Sequence, residues 1–208
     1  MKQVKLGKHQ AGFTIIELMI STMVFGTVLL VVTTAILQIT RVYYKGITQA
    51  NTQSVARNIT DLVSQGIQFN GGDVTETPGP NNAFCVGGQQ YSFVLGKQLA
   101  DGTPTAAQTH HALVVADRPG CTASTPGSSM NTAATTGREL LQPNMRLSKM
   151  SVENIGTNLY KVTVKVVSGD DDILTNPTTA AATCQNVTAG TQFCAESELT
   201  TVVTKRVE

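Results

Sequence analysis

Ala11-Gly12-Phe13-Thr14-Ile15-Ile16-Glu17-Leu18-Met19-Ile20-Ser21 is the stretch on which the reading of this chain turns. Ahead of it lies a short basic leader with Lys2, Lys5 and Lys8. Behind it the chain stays apolar as far as Leu37, with Glu17 the only charge in that run. A carboxylate a few residues inside a membrane span costs about 2.5–3.5 kcal/mol on insertion scales, so such a charge calls for a partner. The leader is ordered unusually as well. A secretory signal peptide places its small residues and cut site after the apolar region, whereas here Ala11-Gly12 precedes it. A cut after Gly12 removes the basic leader and keeps the hydrophobic helix. It also creates an α-amine on Phe13, four residues from Glu17, the spacing that puts two helical residues on one face.

The run Gly12-Phe13-Thr14-Ile15-Ile16-Glu17, with its lysine leader and long apolar continuation, resembles the processing site of type IV pilins and type II secretion pseudopilins. The resemblance covers about the first 30 residues strongly and the rest loosely. It implies a prepilin peptidase that cuts between Gly12 and Phe13 and N-methylates Phe13. It also implies that Glu17 meets the N-terminal amine of a neighbouring subunit in a filament. Many major pilins carry a helix-breaking Pro in the second half of the span. This chain has none between Phe13 and Leu37, which favours a minor pilin or minor pseudopilin. The competing reading is an ordinary signal-anchor helix with a chance Glu.

Length and composition fit that picture. The 208 residues leave room for one domain plus an extended helix. Loss of the three leader lysines turns 15 basic and 14 acidic side chains into 12 and 14, a side-chain charge of −2. No strongly basic footprint points to nucleic acid. The four cysteines, Cys85, Cys121, Cys184 and Cys194, all follow the apolar run. An even count outside a membrane favours disulfides, and four cysteines allow three pairings. Proximity favours Cys184 with Cys194, leaving Cys85 with Cys121. Free thiols and a metal site are the alternatives, the second weakened by the lack of a C-x-x-C pair.

Along the chain, residues 1–12 read as the cleaved leader, kept cytoplasmic by its positive charges. Residues 13–37 read as the membrane span, since about 25 residues at about 1.5 Å each cross a core of about 30 Å. Residues 38–70 continue the same helix as an amphipathic extension. Its stripe is Ile39, Tyr43, Ile47, Ala50, Val55, Ile59, Leu62, Val63, Gly66 and Ile67, with Arg41, Lys45, Gln49, Gln53, Arg57 and Asp61 opposite. One helix is expected over about 13–69, its outer half packed on a sheet; a juxtamembrane stalk or coiled coil is the alternative. Gly71-Gly72 and Thr77-Pro78-Gly79-Pro80-Asn81 end it.

Residues 71–208 then read as an extracytoplasmic β-rich head. Strands are expected at 91–95, 112–115, 145–152 with a slip near Lys149-Met150, 160–166 after a turn at Gly156-Thr157-Asn158, and 198–207. Residues 122–137, rich in Ser, Thr, Ala and Gly, read as an exposed loop. The fold class expected is α+β: a long N-terminal helix packed on an antiparallel sheet, as the resemblance to pilins also implies.

Other clusters are weaker. Asp170, Asp171 and Asp172 are acidic enough to suggest Ca²⁺, but no EF-hand spacing or distal Glu follows, and a solvated hairpin turn is the plainer reading. His110-His111 has no further ligand at metal spacing and reads as a polar position before a strand. Arg118, Arg138, Lys161 and Lys165 are scattered rather than interleaved with aromatics, so direct DNA binding is not indicated. No nucleophile elbow, Walker loop or zinc signature is present, so neither enzyme chemistry nor a cofactor is expected. The expected role is structural: a filament subunit whose partners are other pilin or pseudopilin subunits, prepilin peptidase, an inner-membrane assembly platform, and membrane lipid before assembly. The alternatives are a type II secretion pseudopilin serving protein export, a tip-located adhesin or DNA-uptake module, and an anchored enzyme.

Overall fold

The computed structural model describes residues 12–71, 74, 83–98, 112–117, 137–185 and 190–207. The expectations placed on residues 1–11, Gly72, 77–81, His110-His111, Arg118, Cys121 and 122–136 lie outside the described residues. The chain divides into two units, one ending at Val42 and the other running from Tyr43.

The described part of the first unit is the opening of a 55-residue helix, α1 (Ile15–Phe69). Every described residue here is exposed, including Ile16, Met19, Leu29, Val32 and Leu37 on all sides of the helix. A helix apolar all round has no amphipathic face to hide and needs cover from outside. It is long and apolar enough to cross a membrane. Its hydroxyls do not spoil that surface. Ser21 donates to the Glu17 carbonyl, Thr22 to Met19, Thr27 to Val24, Thr33 to Leu29, Thr34 to Val31 and Thr40 to Ile36. Each polar hydrogen is satisfied within the helix, which lipid requires.

In the second unit the same helix becomes one-sided. Val55, Ala56, Ile59, Val63, Gly66 and Ile67 are buried, joined by Thr52 and Thr60. The two threonines tolerate burial because their hydroxyls donate to the Thr48 and Ala56 carbonyls. The expected stripe is therefore only half covered. Ile39, Tyr43, Ile47 and Ala50 stay exposed, because burial on α1 starts at Thr52. The expected start also moves: the helix opens at Ile15, two residues later than read, because Thr14 caps it.

The covering layer is antiparallel throughout. Strands β1 (Ala83–Val86), β2 (Gln89–Phe93), β3 (Leu113–Asp117) and β4 (Arg138–Glu139) form one sheet in that order. Strands β5 (Met145–Gly156), β6 (Leu159–Ser168) and β9 (Ala195–Thr204) form a second, β6 in the middle. A small pair, β7 (Leu174–Thr175) and β8 (Thr183–Cys184), lies between β6 and β9 in sequence. Residues from both larger sheets and from α1 share one core, in which Ile59, Val63 and Ile67 join Phe84, Tyr91, Leu113, Val162 and Val164. The Phe84 and Tyr91 rings stack at 4.8 Å, nearly parallel. This is a pilin-like α+β architecture, a long helix packed on antiparallel sheet.

The turns follow from residue type. Strands β5 and β6 join through Thr157-Asn158, with Asn158 at φ 57°, a left-handed position that Asn tolerates. The register slip in β5 falls between Leu147 and Lys149, slightly earlier than its expected place. The last strand runs three residues earlier than expected, ending at Thr204, and the next amide, Lys205, donates to the Asn158 carbonyl instead.

Candidate functional site

The chemistry singled out by the sequence begins where the helix does. Gly12, Phe13 and Thr14 have no regular structure and are exposed, Phe13 by 78 %. Among the described residues, a Cβ on Gly12 would meet nothing within 4 Å. Thr14 then starts the helix. Its carbonyl accepts from the Glu17 and Leu18 amides at 3.1 and 3.2 Å, and its hydroxyl accepts from the Glu17 amide at 3.3 Å. Thr14-x-x-Glu17 is the sequence of a capping box, in which a hydroxyl at the cap satisfies a free amide of the first turn. That signal is present in the sequence itself. It sets Phe13 just outside the helix and Glu17 in its first turn.

Glu17 sits well electrostatically for a lone acid, since the free amides of a helix N-terminus favour negative charge. No described residue brings a cation to it, and its neighbours Ile16, Leu18 and Ile20 are exposed hydrophobics. An exposed Gly12-Phe13, a capped helix start, an acid in the first turn and an apolar helix behind them form one continuous unit.

The family described as the prokaryotic N-terminal methylation motif matches residues 7–33. The chain carries a prepilin-type cleavage and methylation motif. This motif is characteristic of type IV pilins and pseudopilins; as a motif it implies prepilin peptidase processing and assembly with other pilin subunits, and with the apolar helix it points to membrane anchoring. No curated protein and no solved structure matches the chain.

The remaining candidates of this prepilin-type chain lie in the second unit. Cys184 and Cys194 are disulfide-bonded, closing the segment between β8 and β9. Cys85 on β1 is disulfide-bonded as well, while Cys121 lies outside the described residues. Near the Cys184–Cys194 bridge, the Phe193 ring meets Tyr44 of α1 at 5.5 Å.

Asp170, Asp171 and Asp172 do not converge. Asp171 and Asp172 open a single 3₁₀ turn, and Asp171 binds Arg146 at 2.8 Å. Among the described residues no three His, Cys, Asp or Glu side chains gather as a metal would need.

Three side chains that the sequence reading missed hold this unit together. Arg146 is wholly buried on β5 and donates to the Gly169 carbonyl at 3.0 Å and to the Pro177 carbonyl. Next to it, Ser148, at the register slip, donates to the Ala180 carbonyl at 2.6 Å. Glu139 accepts backbone amides from Ala112, Leu113, Leu140 and Leu141 at 2.9–3.2 Å, tying β3 to the strand beside it. Burial pushes the nearby Lys97 amine down, and the Glu139 carboxylate partly offsets that. Apart from the Arg146 Nε, which is buried without a hydrogen-bond partner among the described residues, these groups are satisfied by the fold itself, and their chemistry is structural.

Proposed function

We propose that this chain is a minor pilin or pseudopilin, a structural subunit of a type IV filament or a related secretion pseudopilus. The observation that carries the reading is the match of residues 7–33 to the methylation motif, which runs into the start of a helix whose apolar opening stretch is exposed among the described residues. Lys2, Lys5 and Lys8 hold the N-terminus in the cytoplasm, and the β-rich head lies outside. Prepilin peptidase cuts between Gly12 and Phe13 and methylates Phe13. The subunit waits in lipid through residues 13–37 and then leaves the membrane for a bundle of like helices on an inner-membrane assembly platform.

Glu17 gives that step its register. In lipid its carboxylate costs about 2.5–3.5 kcal/mol. In the bundle it meets the Phe13 amine of a neighbouring subunit, and the two charges offset one another at one axial offset only. Within a single chain Phe13 stands outside the helix, so helical spacing does not impose an intramolecular pair. This supports a partner from the next subunit.

Two measurements test the proposal. Mass spectrometry of the protein from native membranes should find an N-methylated Phe13 as first residue; an intact Met1 in cells with active prepilin peptidase would refute processing. Glu17→Ala should insert into the membrane at normal levels and be lost from sheared filaments. Normal filament levels of that variant would remove the charge pair from the assembly step.

A further inference from the structure

We propose that Tyr43, Tyr44, Ile47 and Phe193 form a docking surface for the headgroup layer of a phospholipid bilayer, so that the subunit waits for assembly with its head seated on the membrane. The inference rests on the reading of residues 13–37 as a membrane span and adds to it a lipid contact made by the head itself.

Exposed hydrophobic residues scattered singly need no explanation, whereas a contiguous patch marks a surface that binds something. These four residues are 41–65 % exposed, and they converge. The Tyr43 and Tyr44 rings lie edge to face at 6.1 Å, and the Phe193 ring stands 5.5 Å from Tyr44. Ile47 and Phe193 line one cleft. Two of the contributing segments, α1 and the turn before β9, are about 150 residues apart in sequence.

The fold holds Phe193 in this place. It closes a single 3₁₀ turn, Thr191–Phe193, that follows Gly190 at φ 103°, a left-handed position open to glycine. The Phe193 amide donates to the Gly190 carbonyl at 2.9 Å. The next residue, Cys194, is buried and bonded to Cys184. The bridge therefore fixes the turn, and the turn presents a large apolar ring half in water beside Tyr44.

Helix length selects lipid as the occupant. From Ile15, where α1 begins, to Tyr44 is 29 residues, about 44 Å at about 1.5 Å each. A bilayer with both headgroup layers is about 40–45 Å thick. Tyr44 falls in the outer headgroup layer when Ile15 lies in the inner one, and the ring contact brings Phe193 to the level of Tyr44. Tyrosine suits that depth, because its ring is apolar and its hydroxyl wet. Arg41 and Lys45 flank the tyrosines in sequence and are the only charges of α1 between Glu17 and Arg57. Such cations anchor a helix at the headgroups. Asp170 lines the cleft beside Phe193, so that side of the patch fits a zwitterionic headgroup whose amine faces the acid.

The test uses the full-length chain in vesicles of phosphatidylethanolamine and phosphatidylglycerol, with and without lipid brominated on the acyl chains close to the headgroup. The chain has no tryptophan, so Phe193→Trp makes a single fluorescent reporter in the patch. Phe69→Trp, an exposed aromatic about 37 Å farther along α1 than Tyr44, is the control. Flotation with the vesicles reads anchoring separately from docking. Both variants should float. Bromine should remove about half of the Phe193→Trp emission, as for a ring at the headgroup boundary, and none from Phe69→Trp.

Flotation without quenching of Phe193→Trp overturns the docking and leaves the span standing. Failure to float removes the span and the docking with it. Equal quenching in the two variants means that the head meets lipid without using this patch, which overturns the proposal as well. Blue-shifted emission without quenching, growing with the ratio of protein to lipid, assigns the patch to a second copy of the chain instead. Gln192→Trp, on the same turn, carries the reporter if Phe193→Trp fails to fold. Tyr44→Ser in the Phe193→Trp background should lower the quenching about twofold with flotation unchanged, because the Tyr44 ring seats Phe193. Quenching that does not change overturns the part assigned to Tyr44.

Discussion

The two stretches of α1, residues 15–42 and residues 52–67, belong to one continuous helix and meet opposite fates. The first is apolar on every side and exposed along its whole length. The second has a stripe of Val55, Ile59, Val63 and Ile67, and its own head buries all four below 4 %. The difference lies in where the cover comes from. A stripe can be satisfied by one sheet from the same chain, but an apolar cylinder has to be surrounded, by lipid or by other helices. The second stretch is therefore read out in the stability of the head, and the first in where the protein goes and what it joins.

Matched truncations should separate the two most sharply. Ile59→Ala removes a fully buried side chain from a close-packed core and should destabilise the head by about 2–5 kcal/mol. Leu29→Ala, in the exposed stretch, should leave thermal unfolding of the head unchanged while reducing filament yield. Thermal melts of both variants in detergent would show it. Equal losses in the two would mean that the first stretch is covered by the chain itself, and the comparison would fail.

A second measurement asks how dry the cover over residues 52–67 is. Tyr91, in the core shared with Ile59, has a phenol that burial pushes up to about 12, against a smaller downward pull from the Arg138 guanidinium. The folded value lies above the unfolded one, so the native state keeps its proton longer. The stability this supplies is complete below about pH 10 and disappears as pH rises through about 12, a loss of up to roughly 2–3 kcal/mol at about 1.4 kcal/mol per pH unit. Alkaline unfolding followed by circular dichroism should steepen over that interval and flatten in Tyr91→Phe. A phenolate appearing near pH 10 with the fold intact would mean that water reaches this core.

What the sequence made legible follows the same division. The apolar opening of α1, its end at Phe69 and the alternating strand β6 all come from local signals, a run of apolar residues, a glycine pair and a period of two, and local signals are visible in a single chain. Arg146 was not legible, because a lone arginine in an alternating strand reads as its wet side. Its burial is decided by the Gly169 and Pro177 carbonyls, brought from 23 and 31 residues away by turns that leave no periodic signal. Strands β7 and β8, two residues each, are invisible for the same reason. The extent of the stripe was misjudged because spacing tells which face is apolar and says nothing of how far the covering sheet reaches. At the N-terminus the signal is local: Thr14-x-x-Glu17 announces the helix start in four residues, and Glu17 is both a charge and the residue whose amide the Thr14 hydroxyl caps.

The glycines of α1 give the smallest and most local test. Gly26 and Gly46 have nothing within 4 Å of where a Cβ would stand, whereas at Gly66 that position lies 2.8 Å from the Cγ1 methyl of Val86. Alanine in an open helix interior should gain up to about 1 kcal/mol over glycine from backbone entropy alone. Gly46→Ala should therefore hold or raise the melting temperature. Gly66→Ala makes the same gain and adds an overlap with a buried β-branched side chain that has no free rotamer to retreat into, a cost of about 1–3 kcal/mol. Its melting temperature should fall by several degrees, at about 2–4 °C per kcal/mol for a domain of this size. Combining Gly66→Ala with Val86→Ala discriminates the cause. If contact with the sheet is what glycine relieves, the alanine at 66 should cost less in the Val86→Ala background than in the parent. An unchanged cost would place the strain in the helix itself, and the close approach of helix to sheet at Gly66 would no longer distinguish it from Gly46.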